Sequence, residues 1–234
     1  MNASVLLMAF AFAQAAPEPS LAVERQTHAL AATVRMRIAD RGVGTAVVVG
    51  RKDSALYLLT ADHATDGPDT TELKFEFFSD GNRTKPAFVL QKAKAAIRRP
   101  IADFALLEVS IDRDRSVSIL KLAPPGTAPK KYPFEGLSVG CSDGAAPTCE
   151  KESVLGKRLA LRGESEMAFF WQAEKSQVRG RSGGPLLDEA GRLIGICAAT
   201  ALGKGYYVHS SEIQAALKTE GYDWLWKPES KPQK

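Results

Sequence analysis

No stretch of this chain approaches the ~20 consecutive apolar residues that cross a bilayer as a helix. The apolar run from Val5 to Ala13 has only nine. Charge of one sign is also scarce. Thirty-one Lys and Arg stand against 27 Asp and Glu, a net charge of +4 spread along 234 residues, which lacks the clustered basic footprint of a nucleic-acid binder. The three cysteines form no C-x-x-C and have no paired histidine beside them, a poor basis for a zinc site, and no metal or cofactor is expected. There is no internal repeat. What remains, 44% apolar and 25% charged residues, is the composition of an ordinary soluble globular protein.

The short apolar run is followed by Ala13-Gln14-Ala15, a small-residue cleavage pattern, and then Ala16-Pro17. Residues 1–15 therefore read as a signal peptide, although no lysine or arginine precedes the run. The mature protein is expected to be exported, secreted or periplasmic, with no membrane attachment. In that oxidising setting Cys141 and Cys149, which bracket the turn-rich Ser142-Asp143-Gly144-Ala145-Ala146-Pro147-Thr148, are expected to pair as a disulfide. Cys197, within Leu193-Ile194-Gly195-Ile196-Cys197, reads as a buried thiol acting as a small hydrophobe.

Short apolar runs recur between Gly/Pro turns at 45–49, 55–60, 74–78, 88–90 and 104–109, and again at 137–140, 152–161, 167–173, 193–199 and 206–209. Such spacing predicts an all-β fold. The two groups are divided by Leu122-Ala123-Pro124-Pro125-Gly126-Thr127-Ala128-Pro129. The chain is accordingly divided into an N-terminal β-barrel at 25–122, a linker at 123–135, a C-terminal barrel and helix at 136–220, and a disordered tail at 221–234. The helix is expected from Ser211 to Lys218, capped by Ser210 or Ser211.

Chemistry concentrates in Gly180-Arg181-Ser182-Gly183-Gly184-Pro185. A serine hydroxyl is a weak nucleophile until a base takes its proton and donors stabilise the oxyanion. A base stands upstream: His63 ends the run Leu58-Leu59-Thr60-Ala61-Asp62-His63, and Asp103 heads Asp103-Phe104-Ala105-Leu106-Leu107. Gly180-Arg181-Ser182-Gly183-Gly184 also satisfies the G-x-S-x-G nucleophile elbow. That elbow needs its acid and histidine downstream and leads into a helix; only 52 residues follow Ser182, with His209 the one histidine among them. The elbow is rejected.

The order His63, Asp103, Ser182, with separations of 40 and 79 residues, matches the chymotrypsin-type arrangement. These three stretches resemble the signatures of trypsin-like serine peptidases, nearest to the bacterial HtrA/Deg-type branch, over residues 38–215. The resemblance implies two six-stranded antiparallel β-barrels with a C-terminal helix and the site between them. It implies a serine endopeptidase acting on proteins or peptides through a Ser182-His63-Asp103 triad and an acyl-enzyme, with Gly180 and Ser182 N–H as oxyanion hole. A catalytically latent binding protein of the same fold, or a peptidase acting only on itself or one partner, is the competing reading.

By the same resemblance Ser176 lies at the base of the primary specificity pocket, with Ala198, Ala199, Thr200, Gly205 and Tyr206 as its walls. A neutral base argues for small or medium apolar side chains before the cut. Lys175, Arg179, Arg181 and a pocket-facing His209 would instead favour acidic ones. Arg181 stands where digestive relatives carry an aspartate that receives a new N-terminus, so activation by N-terminal cleavage is not expected. Too few residues follow for the PDZ domain that usually accompanies HtrA/Deg-type peptidases.

Overall fold

A computed structural model describes residues 21–38, 42–65, 70–79, 84–162 and 166–227. The expected signal peptide and the end of the expected tail lie outside these residues.

Alternating or continuous apolar runs become strands, and two antiparallel sheets result. The first contains β1 (Thr33–Ile38), β2 (Gly42–Lys52), β3 (Ala55–Thr60), β4 (Leu73–Phe77), β5 (Phe88–Gln91), β6 (Lys94–Arg99) and β7 (Phe104–Ser110), in the order β5-β4-β1-β2-β3-β7-β6. The second contains β8 (Phe134–Gly140), β9 (Thr148–Arg162), β10 (Glu166–Ala173), β11 (Pro185–Leu187), β12 (Leu193–Ala201) and β13 (Lys204–His209), closed as a barrel in the order β10-β13-β12-β11-β8-β9. This is the chymotrypsin-like pair of β-domains. The first has seven strands rather than six, with its edge strands β5 and β6 unpaired to each other. Within it β1 was hidden by Arg35 and Arg37 on one face, although Val34, Met36 and Ile38 on the other are buried.

Each sheet closes over its own core. Met36, Leu58, Phe75 and Leu107 fill the first, and Trp171, Ile194 and Tyr207 the second. A third cluster lies between them, joining Val47, Leu59 and Leu106 to Val139, Phe170 and Val208. Each fully buried aliphatic side chain contributes roughly 1.5–3 kcal/mol, so this shared cluster holds the two sheets in fixed relation.

Of the stretch expected as a linker, Ala123 is buried and its N–H donates to Leu193 O (2.9 Å), while residues 124–133 are half-buried or exposed and belong to no strand. Other expectations are corrected here. Residues 221–227 are not a loose tail, because Leu225 is buried and the Trp224 ring meets Tyr57 edge-on at 5.2 Å. An unforeseen helix α1 (Leu21–Ala32) precedes β1; its Ala29 and Ala32 are buried, giving small contacts without an amphipathic stripe of large side chains. Helix α2 (Ser210–Thr219) is capped by His209, whose Nδ1 accepts from Ser211 N–H at 3.0 Å, so neither expected serine is the cap.

Candidate active site

Register brings His63 and Asp103 together. In the β3–β7 ladder Thr60 lies opposite Ala105, so the chain leaving β3 and the chain entering β7 emerge at one end of the sheet. His63 sits there in a 3-10 turn, Asp62–Ala64. Asp103 is 2% exposed and takes φ of 60°, a left-handed conformation that aspartate tolerates better than most residues. Its carboxylate accepts from His63 N–H at 3.0 Å and lies 2.9 Å (Oδ2) and 3.0 Å (Oδ1) from Nδ1. A proton on Nδ1 fits this contact and leaves the lone pair on Nε2, the tautomer a general base needs. The turn itself is braced by Asp62, buried and held by Arg98 through Nε (2.8 Å) and Nη2 (3.2 Å).

Ser182 is half-buried in the loop between β10 and β11. One residue that sequence reasoning missed fixes that loop against the other sheet. Thr45, in the centre of β2 and fully buried, donates its N–H to Ser182 O (2.8 Å) and its hydroxyl to Gly180 O (2.7 Å). The same hydroxyl accepts from Cys141 N–H (3.0 Å), and Thr45 O accepts from Thr60 Oγ1 (2.7 Å). The available signal was a hydroxyl inside Gly42-Val43-Gly44-Thr45-Ala46-Val47-Val48-Val49, since a buried polar side chain must find partners. Gly183 lets the loop come this close, because a Cβ there would stand 2.0 Å from Thr45 O.

The backbone around Ser182 divides its N–H groups into two sets. Arg181 N–H donates to Val178 O (3.2 Å), Gly183 N–H to Cys197 O (2.7 Å) and Gly184 N–H to Arg181 O (2.8 Å). Those of Gly180 and Ser182 meet no backbone carbonyl among the described residues. The Arg179 carbonyl is held by Asp143 N–H at 2.8 Å. In a trans peptide the N–H of Gly180 then projects the opposite way. Gly180 takes φ of 90°, and a Cβ on it would stand 2.3 Å from Cys141 O. Glycine is required there on both counts.

Arg181, read above among the cations close to the nucleophile, turns away from the site. It is 1% exposed, with Nη1 on Glu150 Oε1 (3.1 Å), Ser142 Oγ (3.2 Å) and Thr148 Oγ1 (3.3 Å), and Nη2 on Ser138 Oγ (2.8 Å). It is a buried strut between the nucleophile loop and strands β8 and β9.

The expected specificity residues are only partly brought together. Ala198 is buried, Ala199 half-buried and Thr200 exposed along β12, with Gly205 buried beside them on β13. Ser176 is exposed; the next residue, Gln177, turns inward, its Nε2 2.6 Å from Glu152 Oε2. Tyr206 points to the outer face, where its hydroxyl takes a hydrogen bond from Gln172 Nε2 (3.1 Å). Side chains alternate along a strand, so Tyr207 is the one inside, and it is fully buried. His209 is buried. Its ring packs on Trp171 with centroids 4.2 Å apart, and burial, then Lys157, push its pKa down to about 4.

The expected disulfide is absent: Cys141 and Cys149 are unbonded to each other. Cys141 is buried beside Thr45, whereas Cys149 Sγ faces Gln26 O of α1 at 3.9 Å. Burial pushes the Cys141 thiol up to about 11 and that of Cys197 up to about 12, which keeps both protonated at neutral pH and poor as nucleophiles. Among the described residues no group of three or more His, Cys, Asp and Glu could hold a metal ion, and no helix is long and apolar enough to cross a membrane.

A family model described as a trypsin-like peptidase domain matches residues 44–196, which include His63, Asp103 and Ser182. No curated protein matches the chain. Among solved structures, the active form of the Rv3671c protease from M. tuberculosis is 18% identical with a TM-score of 0.65, covering 93% of this chain and 95% of that one. An HtrA-type protease with a tripeptide is 20% identical with a TM-score of 0.65, covering 84% of this chain and 62% of that one. The serine endoprotease of Yersinia pestis is 19% identical with a TM-score of 0.62, covering 89% and 69%. At these identities the likeness is one of fold.

Proposed function

The chain belongs to the trypsin-like peptidase family, and on that premise we propose that it is a serine endopeptidase in which Ser182, His63 and Asp103 act as a triad. His63 Nε2 takes the Ser182 proton as Oγ attacks a substrate carbonyl. The oxyanion so formed is held by the N–H groups of Gly180 and Ser182. His63 returns the proton to the leaving amine, and the acyl-enzyme is released by water activated by the same imidazole. Asp103 holds the Nδ1 proton and stabilises the imidazolium in both halves.

The observation that carries this reading is the split among the loop's N–H groups. The two expected to form the hole meet no backbone carbonyl among the described residues, while their neighbours at Arg181, Gly183 and Gly184 are satisfied. Gly180 is held in that orientation by Asp143 on one side and Thr45 on the other. A single oxyanion donor is worth roughly 10²–10³ in kcat, so the orientation of one peptide separates an active site from an idle one.

A fluorophosphonate probe tests the reading. The intact protein should label at Ser182, and Ser182→Ala and His63→Ala should not. A folded protein that stays unlabelled would overturn it in favour of a latent or purely binding protein. We further propose export, supported by the run from Val5 to Ala13 and the Ala13-Gln14-Ala15 pattern. N-terminal sequencing of the protein from its native host should begin at Ala16, and an N-terminus at Met1 would refute it.

A further inference from the structure

A second buried carboxylate stands beside the candidate base. Asp103 faces the His63 ring, and Asp62 is the residue before His63 in the same 3-10 turn. Asp62 is 3% exposed, and its ion pair among the described residues is with Arg98, whose Nε lies 2.8 Å from Oδ1 and Nη2 3.2 Å from Oδ2. Strand register explains the meeting. Arg98 lies opposite Ala105 in the β6–β7 ladder, and Ala105 lies opposite Thr60 in the β3–β7 ladder. The three form one row across the sheet and share a face. Ala105, in the middle, is small enough for the Arg98 stem to cross β7 and reach the turn two residues beyond Thr60.

Anchoring alone does not account for the arginine, because the backbone of the turn is held without it. Thr65 N–H and Thr65 Oγ1 each donate to Asp62 O at 2.8 Å, and His63 N–H donates to Asp103 Oδ1 at 3.0 Å. What Arg98 adds is charge. A carboxylate near an imidazole favours the imidazolium, and a second uncancelled one favours it further. An imidazolium cannot take a proton from Ser182, so a base must rest neutral. The other cations nearby are directed elsewhere. Arg99, next along β6, pairs with Glu220 at 2.8 Å. In the nucleophile loop, Arg181 turns to β8 and β9, and Arg179 Nη2 lies 3.5 Å from where a Cβ on Gly42 would stand, at the start of β2.

We propose that Arg98 is a positioning residue that sets the charge state of His63. By cancelling Asp62 it leaves Asp103 as the one carboxylate that acts on the imidazole, and His63 rests neutral at a lower pH than it would with both. As a statement about catalysis this rests on the peptidase reading; as a statement about the titration of His63 it does not. The two partners should then act in opposite directions. Removing the cation exposes His63 to the Asp62 charge, and removing the Asp62 charge exposes it to the cation.

The test is a double-mutant cycle on the whole protein, read by NMR titration of the His63 ring, with the pH profile of fluorophosphonate labelling beside it. The chain has three histidines, and His63→Ala assigns the signal. Arg98→Met should raise the His63 midpoint by at least about half a pH unit, Asp62→Asn should lower it by a similar amount, and the double variant should return to within about 0.2 of the parent. Labelling of Arg98→Met should be slower by about threefold or more below the midpoint and reach the parent rate well above it. Arg98→Lys, which keeps the charge and loses the fork, should titrate like the parent. A merely structural role predicts slower labelling at every pH with the midpoint unmoved. That result, or a double variant no nearer the parent than Arg98→Met, would overturn the proposal. If Arg98→Met does not fold, Asp62→Asn decides: a lowered midpoint supports the proposal, an unmoved or raised one overturns it. The predicted shifts in a protein that no fluorophosphonate labels would sink the peptidase reading alone. Labelling at Ser182 with unmoved midpoints would sink this one alone.

Discussion

Replacing Thr45 by valine should disable the site while keeping the fold. Valine matches threonine in shape, so no cavity opens in β2, but the hydroxyl is lost. Two backbone groups then lose a partner: Gly180 O, which accepts at 2.7 Å, and Cys141 N–H, which donates at 3.0 Å. Thr45 is fully buried, so water cannot replace the hydroxyl. Each unsatisfied group costs about 1–3 kcal/mol, together about 2–5 kcal/mol once the gain from burying a methyl is set against them. For a domain of this size that lowers Tm by roughly 4–20 °C. Catalysis should suffer more than stability. Gly180 O orients one peptide beside the hole, and Cys141 begins the turn whose Asp143 N–H holds Arg179 O. Losing that alignment should reduce kcat/KM by about 10²-fold or more. Thr45→Ser keeps the hydroxyl and loses only a methyl, so its kcat/KM should stay within a few-fold of the parent. Denaturation curves and fluorophosphonate labelling rates on the three proteins decide the matter. A fully active Thr45→Val, or a Thr45→Ser as damaged as the valine variant, would refute the reasoning.

Three further outcomes follow from the same contacts. Arg181→Met should lower kcat/KM by at least about tenfold, since it frees the nucleophile loop from Ser138, Ser142 and Thr148; Glu150→Gln should have little effect, because that half-exposed carboxylate forms a largely screened pair worth about 1 kcal/mol or less. Parallel kinetics and melting curves would expose an effect ranked the other way. His209, depressed from 6.5 to about 4, is neutral in the folded protein and charges more readily unfolded. The unfolded state therefore binds more protons between about pH 6.5 and 4, so stability should fall as pH drops through that window and be whole above it; His209→Asn, which can still cap α2, should flatten this part of a urea-midpoint profile. Cys141 and Cys197 should resist iodoacetamide at pH 8 in the folded protein, being buried with thiols pushed up to about 11 and about 12, and mass spectrometry of the alkylated protein reads this directly.

The triad candidates were legible because each is a chemical type placed at the edge of an apolar run. Strand ends face one way in a ladder, so His63 after β3 and Asp103 before β7 meet once the two strands pair. The strands buried on both faces, such as β2 and β7, were legible for the same reason. Illegible were elements whose apolar side is narrow: β1 with its two arginines, β6 with Ile97 as its one fully buried aliphatic, and α1, which docks through alanines. The polar interior of the second barrel was illegible for a different reason. Glu152 and Gln177 stand 25 residues apart, and Glu152 and Tyr207 stand 55 apart. Their meeting depends on how β8, β9 and β13 register around a closed barrel, and a one-residue slip would send each side chain to the other face.

The charge at Arg181 bears on how such a site becomes competent. Where a relative has an aspartate at this place, the loop takes shape when a freed chain terminus supplies a cation. Here the polarity is reversed and the partners are internal: Ser138 on β8, Ser142 in the turn after it, and Thr148 and Glu150 on β9. All four belong to one β-hairpin, closed by a ladder that runs from Phe134↔Val154 to Gly140↔Thr148. The anchor is thus present as soon as that hairpin forms. Thr45 grips the loop from the first sheet at Gly180 and Ser182, on either side of Arg181. Three consecutive residues are in this way fixed from two directions without a chain end. On the proposed reading, activity should then be indifferent to N-terminal processing. Protein begun at residue 16 and protein carrying a short N-terminal extension should label with fluorophosphonate at rates within about twofold, whereas an aspartate-anchored site with a blocked terminus would lose the hole and about 10²–10³ in rate.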